Sequence, residues 1–320
     1  MVIAPADEGS ELPAPTGFTV GRSVVTIAEA VRQGLPDERN TMSITSTLAA
    51  PTLGAPVEIA PDTFVIQATQ RDGPAVVHLN TMVIRGSEPI IVDTGVPGLR
   101  QQYLDDIWSL VDPDDVRWVF LSHDDVDHYG NLDAVMAACP NATLLTSWFQ
   151  WERLGNLPEI APHRMRWLES DDHFEANGRR YTVVRPPLFD SPTTRGLFDP
   201  ATGVYWASDC FATVVPRAMA DVAELDSEEW IGGCYVQAQQ LSPWLSMVDE
   251  AAYGRAIDRV ERLGATTIAS CHSPTITGGN IRPAIDMLRE VPSVPPIAVP
   301  GQELLDEIIA AGELKFGAMR

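Results

Sequence analysis

The sequence predicts an α/β fold in which two β-sheets pack face to face with helices on the outside. Two observations carry this reading. Strand-rich stretches alternate with helix–strand pairs in the order β-rich, αβ, β-rich, αβ, the order expected when two sheets each gain helical cover on one face. Several of the strands also end in short loops bearing acids or imidazoles, as they would if one edge of the sandwich held a site.

Residues 1–56 are rich in Pro, Ala, Ser and Thr, with one helical piece around Ile27–Val31. This composition suits an extension that packs on the main domain or stays partly mobile. From Val57 the pattern turns to β: Val57–Ile59, Phe64–Ile66, Val76–His78, Met82–Ile84 and Ile90–Val92, punctuated by Gly, Asp and Pro as hairpins require. Helical periodicity over Gly98–Leu110 precedes a strand at Trp118–Leu121, and a helix at Asn131–Ala138 precedes a strand at Thr143–Leu145. The aromatic run Trp148-Phe149-Gln150-Trp151 follows, fitting either a pocket wall or core packing. A second strand set begins near His173-Phe174, with Tyr181–Arg185 and Gly203–Ala207, then a helix over Glu250–Leu263 and a strand at Thr267–Ala269. Residues 57–320 thus form one predicted domain, with a short helix at Leu304–Ala311 near its end.

Composition narrows the function classes. The 320 residues carry a net charge of −22 and a single lysine, Lys315; such acidity disfavours nucleic acid and anionic membranes as partners. No apolar run reaches the length of a membrane span, and the first residues lack the basic and apolar regions of a signal peptide. Cys139, Cys210, Cys234 and Cys271 are scattered without a CxxC pair, as expected for reduced thiols in the cytoplasm.

The densest chemistry lies in His123-Asp124-Asp125-Val126-Asp127-His128, five candidate ligands within six residues at the end of an apolar strand. Three later loops repeat the theme: Asp190 in Pro187–Pro192, Asp209 in Trp206–Phe211, and His272 in Ala269–Pro274. Imidazoles mixed with several carboxylates suit one or two transition metals, and the oxygen-rich set shifts the expected metal from zinc toward iron or manganese.

Taken together, the six-residue motif, the Asp93-Thr94-Gly95 turn and the Asp209 and His272 loops resemble the metallo-β-lactamase fold, an αββα sandwich of two mixed sheets flanked by helices. Within it the chain is most similar to the diiron domain of flavodiiron proteins, which carry H-x-E-x-D-H; Asp125 stands at the carboxylate position. The segment Asp199–Phe211 resembles the stretch leading to their bridging Asp, and the similarity runs from about Val57 to about Gly278. The resemblance implies that His123, Asp125 and Asp190 hold one metal, that Asp127, His128 and His272 serve the second, and that Asp209 bridges the two. Asp190 stands where the family usually has a histidine; an Asx-type turn with Ser191-Pro192 is the alternative role. His78, in Val76–Thr81, and Tyr235, in Gly232–Gln237, are candidates to touch substrate or the ligands, although His78 also suits a satisfied core histidine.

If all seven ligands bind, four carboxylates balance two divalent ions, an arrangement that eases oxidation. The resemblance therefore implies a dinuclear non-haem iron oxidoreductase that reacts with O2 or NO or oxygenates an organic substrate, with manganese or zinc as other metals. Flavodiiron proteins draw electrons from an FMN domain. The forty or so residues after Gly278 are too few to build one, so an external electron-donor protein is expected. A homodimer is implied by the same resemblance. The alternatives are a dinuclear hydrolase of an ester, lactone or phosphodiester, working through a metal-activated hydroxide, and a diiron oxygen or redox sensor.

Overall fold

The computed structural model describes residues 50–72, 75–154 and 160–294. Most of the predicted N-terminal extension, including its helical piece, and the helix at Leu304–Ala311 lie outside the described residues.

The first sheet comprises β1 (Thr52–Leu53), β2 (Val57–Ala60), β3 (Thr63–Asp72), β4 (Ala75–Ile84), β5 (Ile90–Val92), β6 (Trp118–Phe120), β7 (Thr143–Thr146) and β8 (Met165–Trp167). Its order is β1-β3-β4-β5-β6-β7-β8, with β2 also paired to β3. The second comprises β9 (His173–Ala176), β10 (Arg179–Val184), β11 (Gly196–Asp199), β12 (Val204–Trp206), β13 (Thr267–Ser270) and β14 (Ser273–Thr277), ordered β14-β13-β12-β11-β10-β9. Both sheets are mixed: β5 to β8 run parallel, as do β12 and β13, and the remaining pairs are antiparallel.

Side-chain alternation explains the layering. Ile90 and Val92 of β5 join a core between the sheets with Phe120, Val183, Val204 and Trp206, whereas Ile91 faces the helices α1 (Arg100–Leu110), α2 (Val126–Tyr129) and α3 (Leu132–Ala138) on the outer side. α4 (Trp148–Leu154) follows β7. On the second sheet Tyr205 points to the opposite side, into a core shared with α5 (Ser227–Leu241), α6 (Glu250–Glu261) and α7 (Ile281–Glu290). Period-two strands with both faces apolar require this double cover, and the αββα order follows.

One local prediction differs from the structure, and one helix, α7, lies where none was predicted. Val76–His78 and Met82–Ile84 belong to one ten-residue strand, β4, because the intervening Asn80 and Thr81 are buried between sheet and loop rather than marking a turn. The helix α7 has its signal in Ile281, Ala284, Ile285 and Leu288, spaced to line one face; Pro283 falls in its first turn, where a missing N–H costs nothing.

Asn80 fastens the two sheets. Its backbone N–H donates to Cys271 O at 2.8 Å, and its amide donates to Ser270 O at 2.9 Å and Ser273 O at 2.7 Å. Removing the amide strands two buried carbonyls. Asn80→Ala is expected to lose about 2 kcal/mol of stability, measured from the urea midpoint with an unchanged m-value.

Candidate metal centre

The site forms where strands end. Asp93 follows β5, His123 follows β6, Asp209 follows β12 and His272 follows β13. Parallel strands deliver their C-terminal loops to one edge, the usual position of a site in such sheets. The backbone bends sharply to do so: Asp93 (φ 60°), Ser208 (φ 54°) and Phe211 (φ 68°) all occupy left-handed conformations. Such conformations in non-glycine residues cost free energy that the surrounding structure must offset. Two of the three flank Asp209.

A buried hydrogen-bond chain fixes His123. Asp93 accepts from Ser122 N and from Ser122 Oγ, both at 2.7 Å, and Ser122 Oγ lies 2.9 Å from His123 Nδ1. With its proton given to Asp93, Ser122 Oγ can only accept from the imidazole. The proton therefore sits on Nδ1, and the Nε2 lone pair points inward. His272 is set the same way, with Nδ1 donating to the His78 carbonyl at 2.7 Å.

The inward-facing atoms converge. His123 Nε2 lies 3.3 Å and His272 Nε2 3.5 Å from the same oxygen, Asp209 Oδ1. His128 Nε2 lies 3.1 Å from Asp127 Oδ2 and 3.4 Å from His272 Nε2. Ligand-type atoms of Asp127, His128 and His272 fall within 4.8 Å of one another, as do those of His123, Asp125 and Asp190. Asp209 thus meets one imidazole of each group through a single oxygen, and its ligand-type atom also falls within 4.8 Å of those of His123, His128 and Cys271.

These atoms lack ordinary partners. His123 Nε2 and both carboxylate oxygens of Asp209 are buried without any hydrogen bond among the described residues. Unsatisfied buried polar atoms cost about 1–3 kcal/mol each, and lone pairs facing carboxylates are repulsive unless a cation lies among them. The donor set fits two metal ions. The carboxyls respond to their crowding: burial and the negative charge of Asp209 push Asp190 up to about 9. Burial would raise Asp209 too, but the imidazoles of His123 and His272 outweigh it and hold that carboxyl well below the usual range.

The other candidates are placed differently. His78 is fully buried, neither ring nitrogen has a hydrogen-bond partner among the described residues, and burial pushes it down to about 4; its carbonyl accepts from His272. The Tyr235 hydroxyl donates to Glu290 at 2.6 Å, across to the end of α7. Of the aromatic run, Trp148 is 58% exposed, whereas Gln150 is buried. Trp244 stands beside the Asp190 loop, donating to Phe189 O at 2.9 Å. A small, mostly apolar cleft of about 10 Å³ borders Asp209, lined by Leu188, Phe189, Phe211, Ala238, Leu241 and Met287 among others.

Sequence reasoning missed Arg195. This fully buried arginine donates to Leu168 O at 2.7 Å, Leu121 O at 2.8 Å and Gln150 Oε1 at 2.5 Å, while its backbone N–H donates to Ser122 O at 2.8 Å. It therefore braces the strand end that presents His123. No local pattern marks a buried arginine; all these partners are distant in sequence.

A model of the ODP family beta lactamase matches residues 77–273. The chain belongs to this family. It is 29% identical over 165 residues to a putative diflavin flavoprotein A 2 from Nostoc sp. strain PCC 7120, an alignment covering 48% of this chain and 28% of that protein. An anaerobic nitric oxide reductase flavorubredoxin from Vibrio vulnificus is 20% identical over 171 residues, covering 53% of this chain and 35% of the relative. The chain thus aligns with about a third or less of the length of these curated relatives. In three dimensions the flavodiiron protein from Giardia intestinalis matches with a TM-score of 0.64 at 15% identity, over 76% of this chain and 60% of that one. The expected metallo-β-lactamase sandwich and its flavodiiron kinship are both borne out.

Arg195→Met should cost more than about 3 kcal/mol, because three acceptors lose a charged donor together. Arg195→Lys should recover little of it, since one ammonium cannot span the planar fork. Urea denaturation of the two variants checks both statements.

Proposed function

We propose that this chain carries a dinuclear non-haem iron centre and acts as an oxidoreductase on O2 or NO. The observation that carries the proposal is the carboxylate-rich character of the converging atoms: Asp125 and Asp190 gather with His123, and Asp127 with His128 and His272, around a shared Asp209. In this reading the first three hold one iron, the second three hold the other, and Asp209 bridges. The iron pair supplies redox chemistry toward a small diatomic substrate, and four anionic ligands favour its ferric state over zinc or a softer metal.

The protein's own residues do the rest. Ser122 and the His78 carbonyl hold His123 and His272 with their Nε2 lone pairs inward, the outer support that metal-binding imidazoles need. The apolar cleft beside Asp209 favours an uncharged substrate over an anion, since apolar walls offer a phosphate or carboxylate nothing in exchange for its hydration. The flavorubredoxin relative is named as a nitric oxide reductase, which supports the same substrate class. Electrons arrive from a donor outside the described residues. Among those residues no helix is long and apolar enough to cross a membrane.

Anaerobic purification followed by elemental analysis should find about two irons per chain, and the optical spectrum should change on exposure to O2. Two zincs with no spectral response would overturn the proposal. Asp209→Ala should lose at least one metal per chain; full retention of both would sink the ligand set.

A further inference from the structure

Asp124 sits between two members of the converging set, His123 and Asp125, yet its carboxylate faces away from them. One oxygen accepts from Ser191 Oγ at 2.8 Å and from Thr193 Oγ1; the other accepts from Arg153 Nε on α4. Ser191 and Thr193 belong to the same loop as Asp190. The loop is also tied before Asp190, where Ser242 Oγ and Trp244 Nε1 donate to Phe189 O at 3.0 and 2.9 Å, and at its end, where Arg195 N donates to Ser122 O at 2.8 Å; the Asp124 carboxylate is what holds the residues directly after Asp190, and Thr194 Oγ1 donates to Asp190 itself at 3.3 Å. A ligand-type atom of Asp190 falls within 4.8 Å of those of His123 and Asp125, so its reach into the site depends on where its loop is held. The Asp124 side chain is only 5% exposed, and Arg153 balances its charge, so the tie adds no net negative charge beside the site.

We infer that Asp124 is a positioning residue that latches the Asp190 loop onto the ligand turn, so that Asp190 reaches the metal position shared with His123 and Asp125. The inference rests on the reading of Asp190 as a ligand. Hydroxyl donors from two residues of the loop meet one oxygen, which fixes both the position and the direction of the loop. Without the latch, the residues after Asp190 lose their tie to the ligand turn, Asp190 can swing out, and that metal position keeps two protein ligands of its own besides Asp209. The Asp127, His128 and His272 position makes no contact with the latch and is left intact.

Titration of the full-length, metal-free protein with Co2+, followed by ligand-field absorption, separates the two positions. Wild type should bind two equivalents. Asp190→Ala and Asp124→Ala should each weaken one phase by about tenfold or more, the scale of losing a residue that orients a ligand, and should alter that phase's absorption bands. The double variant should be no weaker than Asp190→Ala alone, because the two residues act through one ligand. Asp124→Asn, which keeps an oxygen for Ser191 and Thr193, should restore most of the affinity. The pair Ser191→Ala with Thr193→Val should reproduce the loss with Asp124 in place, which guards against a variant that merely misfolds. Wild-type binding by Asp124→Ala, or additive losses in the double variant, would overturn the latch while leaving Asp190 a ligand. Wild-type binding by Asp190→Ala would instead overturn the ligand reading, and the latch with it.

Discussion

Four carboxylates and three imidazoles crowd one edge of the sandwich, and their mutual repulsion is the constraint on which the rest of the structure turns. Asp125, Asp127, Asp190 and Asp209 approach His123, His128 and His272 closely enough that the lone pairs face one another. In water such groups would separate or protonate. Here they are held by groups that contribute no charge of their own to the centre: Ser122, the His78 carbonyl and the hydroxyls of the Asp190 loop. A positive ion among these groups would remove the conflict, which is the role the proposed dinuclear centre gives it.

The surrounding architecture reads as reinforcement of that container. Left-handed backbone at Asp93, Ser208 and Phe211 turns strand ends abruptly inward, a strain that persists because the sheets on both sides are fully packed. Asn80 ties the first sheet to the loop that presents His272. Arg195 does the equivalent for His123, hydrogen bonding to three strand or helix termini at once. A buried cation so close to the anionic edge also contributes favourable electrostatics that an aliphatic side chain could not.

The departures from the flavodiiron pattern follow one direction. In the proposed ligand set, Asp125 is shorter than the glutamate of the family motif and Asp190 stands where the resemblance places a histidine; each change keeps or adds an anion. Shorter ligands would need their loops to come closer, which fits the tethering around Ser191, Thr193 and Asp124. The exposed Trp148 and Phe149 of α4 stack near Arg153, so the tether's outer end lies at the surface rather than in the core.

The architecture and most of the converging residues are legible in the sequence. Both follow from local pattern: β5 and β6 are short continuous apolar runs, α1 and α6 show helical spacing, and His123–His128 lie within six residues of one another at a strand end. Asp209 and His272 were legible because each also closes a strand. Tertiary structure alone decided which of these acids point inward. Asp124 and Asp125 are adjacent and chemically identical, yet one joins the site and the other ties down a loop, because their partners lie 29 to 69 residues away. It also decided that β4 is unbroken at Asn80, that Tyr235 reaches Glu290, and that Arg195 is buried. Side-chain direction at a loop is set by which distant groups satisfy it, and spacing along the chain carries no record of those distances.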